Sequence, residues 1–72
     1  MDTRLTHKQS RVLEWISEFV RVEHVPPTLG DIADAFGWRS KTAAMNHVNA
    51  LIRKGHLERV RAQGLRIVER SA

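Results

Sequence analysis

Seventy-two residues, 42% of them apolar, suffice for one compact core and not for two. The absence of cysteine excludes a disulfide framework, a thiolate zinc site and a cysteine nucleophile, and apolar runs of only two or three residues leave no spanning helix or signal peptide to expect. The net charge of +4 is unevenly placed: residues 39–72 carry eight basic and two acidic side chains and residues 1–38 four and six, so one half should attract polyanions, nucleic acid first among them.

Thr6-His7-Lys8-Gln9 has the form of a capping box, which predicts a first helix starting near His7. Val12, Leu13, Ile16, Phe19 and Val20 then fall on one helical face, and the pattern ends around Val22. Pro26-Pro27 forbids helix and stiffens an extended link. Thr28 caps a second helix over 29–36, with Asp31 in its first turn to favour the dipole. Leu29, Ile32, Ala33 and Phe36 form its apolar face, and Gly37 suits a left-handed end. Ser40 is the expected cap of a third helix over 41–54, whose core face is Ala44, Val48, Leu51 and Ile52 and whose stop is Gly55. Residues 56–60 and 65–68 read as two short strands, with Arg61-Ala62-Gln63-Gly64 as the turn. Leu57, Leu65 and Ile67 can share an inward face, whereas Val60 has the wrong parity for Leu57. The fold expected is mostly α with a small β-hairpin: a three-helix winged helix-turn-helix, one domain over 1–72.

The outward side of the third helix carries the functional reading. Thr42, Asn46, Asn49 and Arg53 lie opposite its core stripe, Ala43 and Ala50 complete that surface, and Met45 and His47 sit at its margins. The surface has no acid. Asn can donate and accept at an adenine edge, Arg can pair with guanine, and Thr or Ala can meet a thymine methyl. Arg59, Arg61, Gln63 and Arg66 lie on or beside the hairpin, where they can clamp phosphates or enter a minor groove. The helix starts at Thr28 and Ser40 offer free amides that suit phosphate oxygens.

The segments Pro26-Pro27-Thr28, Asp31-Ile32-Ala33, Phe36-Gly37-Trp38-Arg39-Ser40, Ala43-Ala44 and Leu51-Ile52-Arg53-Lys54-Gly55, together with Leu5-Thr6-x-Lys8-Gln9, resemble the N-terminal DNA-binding domain of LexA repressors. The resemblance runs from about Leu5 to Val68. It implies a winged helix whose third helix enters the major groove of an SOS-type operator half-site. It implies base contacts at Ser40, Thr42, Ala43, Met45 and Asn46 and phosphate contacts at Lys8 and Lys54, and the DNA-binding set expected also takes in Arg39 and Lys41. Thr42 stands where the best-known LexA proteins carry Asn, Met45 and Asn46 where they carry acids, and Leu29 where they often carry Arg; base preference should differ accordingly. LexA repressors continue into a dimerising domain with a cleavage site and a Ser–Lys dyad. Neither is found in these residues, so an excised domain or a stand-alone LexA-like protein, without enzymatic activity of its own, is expected.

Other chemistries find little support. His7, His24, His47 and His56 lack ligand spacing, so no metal or other cofactor is expected. Glu14 and Glu18 read as a solvated face, and Ser10, Ser17, Ser40 and Ser71 have no base or oxyanion loop beside them. Trp15 and Trp38 could stack bases in a single-strand binder but are expected at the edge of the core. The expected partner is double-stranded DNA bearing a palindromic operator, bound by a possible homodimer in the cytoplasm, with no membrane and no small-molecule substrate. The rival reading is a winged-helix module that docks on polymerase or another regulator, through an apolar patch of Met45, Ala43, Ala50 and Leu29.

Overall fold

The chain reverses direction wherever its capping and turn residues dictate. The computed structural model describes residues 4–60 and 64–68, and of Val60 the backbone alone. Three helices, α1 (His7–Glu23), α2 (Leu29–Phe36) and α3 (Lys41–Arg53), precede two strands, β1 (Leu57–Val60) and β2 (Gly64–Ile67). At the start of α1 the Thr6 hydroxyl accepts from Gln9 N–H at 3.1 Å, and the Gln9 amide oxygen accepts from Thr6 N–H at 3.0 Å. Thr28 and Asp31 repeat this reciprocal arrangement at the start of α2, with both bonds 3.0 Å long. Each closes two amides that a helix start otherwise leaves open.

The ends are equally legible. Beyond α2, Trp38 N–H reaches Ala33 O at 2.8 Å and Gly37 N–H reaches Asp34 O at 3.3 Å. Beyond α3, His56 N–H reaches Leu51 O at 2.9 Å and Gly55 N–H reaches Ile52 O at 3.0 Å. Both are Schellman endings, which turn the chain sharply onto its next element. The first helix runs one residue past Val22 and ends on His24, a non-glycine residue in the left-handed region at φ 62°.

The two strands pair antiparallel, Leu57 opposite Ile67, Glu58 opposite Arg66, Arg59 opposite Leu65 and Val60 opposite Gly64. Leu57, Leu65 and Ile67 therefore share one face, as their spacing predicts, and Arg59 shares it with them. The strands begin at Leu57 and Gly64, one residue later and one earlier than expected, while Val68 N–H still donates to His56 O at 3.0 Å. The expected turn residues Arg61 and Gln63 and the frayed tail 69–72 lie outside the described residues.

The core sits where all these elements meet. Val12, Ile16, Ile32, Val48, Leu51 and Leu57 are all under 2% exposed, with Ala33 and Ala44 between them. Each large side chain so buried stabilises the fold by about 1.5–3 kcal/mol before ordering costs. Trp15 and Trp38 lie at the margin of this core, half-buried against it, as expected. Ile52, expected in the core stripe, is also only half-buried.

Candidate nucleic-acid interface

Two helices joined by a tight turn present the third to solvent. The turn is held by aromatic stacking: Phe36 on Trp38 with centroids 5.1 Å apart, and Trp38 on His47 at 4.7 Å and 18°. The Nδ1 atom of His47 lies 2.9 Å from the Ala43 carbonyl oxygen. These contacts fix the rotation of α3 about its own axis and hence which side chains face outward.

The exposed side of α3 carries Lys41, Thr42, Met45, Asn46, Asn49 and Arg53, and none of these is acidic. A helix of 13 residues is about 20 Å long and, with side chains, 10–12 Å across, a fit to a major groove about 12 Å wide. Met45 is 39% exposed, which is unusual for a large apolar side chain among polar neighbours. Asn46 makes no side-chain hydrogen bond among the described residues.

Ser40 occupies the cap position of α3 in extended backbone, φ −133° and ψ 155°, but its hydroxyl makes no capping bond. The side-chain cap expected there is absent, and the first turn of α3 holds no acid. Lys41 lies back over the start of α2, its Cε 3.5 Å from where a Cβ on Gly30 would be. Arg39, Lys8 and Arg11 are exposed, and Lys8 and Arg11 border a shallow depression with Trp38.

One expected placement is corrected, and other expected residues have partners within the fold. Ala50 is 6% exposed and buried, so it belongs to the core and not to the outward surface. Ala43 is half-buried. Positions 43, 47, 50 and 54 form one stripe along a helix. Trp38 covers that stripe at His47, and the beginning of α1 covers it at Lys54. The core stripe of α3 is therefore wider than its apolar period indicates. Lys54, expected on phosphate, donates to Arg4 O and to Gln9 Oε1, both at 2.8 Å. Thr28, expected near a phosphate, is engaged in its capping box, where the Asp31 carboxylate adds a repelling charge.

The hairpin is also more internally committed than its arginines suggest. Arg66 forms an ion pair with Glu58 on the outward face of the wing. Arg59, on the inward face, donates from Nη2 to Asn49 Oδ1 at 3.3 Å. That second contact ties the wing to α3 and was not foreseen. Its signal lay in strand parity, since Arg59 is two residues from Leu57 and must point the same way. Away from this surface, Glu18 is paired with Arg21, whose hydrogen bond holds the carboxyl below its ordinary range, so the Glu14–Glu18 face is the solvated one expected.

An open, acid-free helix on a winged scaffold suits a duplex groove, and the sequence matches the LexA DNA binding domain family over residues 2–64. The chain belongs to the LexA DNA-binding domain family. It is similar to the LexA repressor of Marinomonas sp. (strain MWYL1), 41% identical over 96% of this chain and 34% of the relative. The LexA repressor of Aromatoleum aromaticum is 45% identical over 90% of this chain and 33% of its own length. That of Bordetella pertussis is 45% identical over 81% and 27%. The chain thus spans about a third of the length of the curated relatives it matches, and the part matched is the DNA-binding domain of LexA. Against the LexA pattern described above, the substituted positions Thr42, Met45 and Asn46 are all on the exposed side of α3.

Proposed function

We propose that this domain recognises a specific double-stranded DNA operator as part of a LexA-like repressor, with α3 in the major groove and the wing against backbone or minor groove. The single observation that carries this reading is the outward face of α3: exposed Thr42, Met45, Asn46 and Arg53, no acid, and an uncapped helix start at Ser40. Thr42 and Met45 suit thymine methyls, Asn46 suits adenine, and Arg53 suits guanine or phosphate. Arg39, Lys41, Lys8 and the α3 amides hold the sugar–phosphate backbone and set the helix register. Ala43 backs this surface but contributes only its exposed part. Of the wing residues expected at DNA, Arg61 and Gln63 lie outside the described residues, and Arg66 contributes less because Glu58 neutralises it.

Two copies on a palindrome are the natural arrangement. The longest extent of the molecule, 34 Å, is about one turn of duplex, so one copy covers about one half-site. Repression then follows from occupancy of a promoter. The docking module finds less support: of Met45, Ala43, Ala50 and Leu29, Met45 is exposed, Ala43 and Leu29 are half-buried and Ala50 is buried.

Selection from a random duplex library tests the proposal. Recovered sequences should share a motif, and Asn46→Ala should change the preferred base at one position of each half-site. Failure to enrich any motif, or an Asn46→Ala profile identical to the parent, overturns the assignment of α3 as the reading helix.

A further inference from the structure

The contact between Arg59 of β1 and Asn49 of α3 does more than join two elements. A guanidinium carries donors only. The Asn49 amide must therefore turn its oxygen toward Arg59 and its NH2 group away. Strand parity puts Arg59 in place, because it lies opposite Leu65 on the face that also holds Leu57. Arg59 borders a shallow apolar depression with Pro27, Leu29 and Val48 and is itself exposed. Asn46, one turn earlier on the same outward side, has no such partner among the described residues and can turn either amide atom to a base.

We propose that Arg59 is a positioning residue for base readout: by holding the oxygen of Asn49, it makes Asn49 a reader that can only donate. A free asparagine pairs with adenine through one donor and one acceptor, at N7 and N6. A donor-only asparagine favours bases that offer acceptors alone in the major groove, guanine at O6 and N7 or thymine at O4. The two asparagines of α3 are thereby given different base preferences by the wing. This inference rests on the reading of α3 as the DNA-reading helix.

The test compares library selections for the parent chain, Asn49→Ala, Arg59→Met, Arg59→Lys and the Asn49→Ala/Arg59→Met double variant. The base position read by Asn49 is the one whose preference disappears in Asn49→Ala. There the parent should favour guanine or thymine over adenine by about tenfold, within the range of one base-edge pairing. Arg59→Met keeps the apolar stem but removes the donors, so the adenine penalty should fall to about twofold or less. Arg59→Lys restores a donor and should retain most of the preference. In the double variant, Arg59→Met should change overall affinity and no positional preference. A parent-like profile in Arg59→Met, or an effect spread evenly over every position, overturns the proposal while leaving α3 as the reading helix. A parent that enriches no motif overturns both. The contact is also read without DNA: the side-chain amide resonances of Asn49 should shift in Arg59→Met, and those of Asn46 should not. Unmoved Asn49 resonances overturn the proposal.

Discussion

Lys54 has a structural duty, and one substitution tests whether the phosphate contact expected of it is a second. Its ammonium donates to Arg4 O and to Gln9 Oε1, and the same Gln9 oxygen accepts from Thr6 N–H. The cap of α1 is thereby fastened to the end of α3. A third N–H remains for a phosphate. Because the group is half-buried and one acceptor is solvent-exposed, the net contribution of the pair is about 1 kcal/mol. Lys54→Ala should therefore lower the thermal midpoint by about 4–8 °C, as followed by circular dichroism. It should also weaken binding to matched and mismatched duplexes by the same factor, measured by fluorescence anisotropy. An unchanged midpoint would remove the structural duty, and a sequence-dependent loss of affinity would place Lys54 among the base readers. Arg59 illustrates the same rule: basic side chains near DNA also order the surface that meets it.

Glycine shows how the elements are set. At Gly37 φ is 70°, and a Cβ there would meet nothing within 4 Å. At Gly64 φ is 83°, and a Cβ would lie 3.0 Å from Pro26 Cγ. Gly37→Ala should therefore cost only the left-handed strain, about 1 kcal/mol. Gly64→Ala adds a clash with a rigid proline ring and should cost roughly 2–3 kcal/mol. Chemical denaturation of the two variants checks the order; equal losses would mean that the wing yields freely at Pro26. These elements were readable from local chemistry. Capping boxes, Pro26-Pro27, Gly37 and Gly55 act within a few residues of chain, and the helices fall within one residue of their expected bounds. The base-reading surface was less readable. Ala50 lies opposite Val48 on the helix wheel, yet the start of α1 crosses over its stripe, a contact made across 45 to 50 residues of chain. No helical period encodes such a crossing. Ser40 is a further case: serine favours a helix cap, but whether its hydroxyl closes on the helix depends on the rotamer the turn permits, and here it does not.

At the scale of the whole molecule, the charge asymmetry becomes a surface property. Two acids of the first half are engaged locally, Asp31 in a cap and Glu18 on Arg21, and Glu58 of the second half screens Arg66. Arg39, Lys41 and Arg53 remain exposed around α3, with Lys8 and Arg11 beside Trp38. If about five phosphates are neutralised in the complex, the logarithm of the binding constant should fall with the logarithm of salt at a slope of about −4 to −5. The slope counts phosphates and is blind to bases, so it separates two contributions. Asn46→Ala should leave it unchanged while altering base preference. Arg39→Ala or Arg53→Ala should each reduce its magnitude by about 1 if the residue meets a phosphate. A residue that instead pairs with guanine would lower affinity on its own operator more than on a scrambled one. Titrations at four salt concentrations on both duplexes decide between these outcomes, and a response flat in salt would mean that the basic half of the molecule does not face DNA.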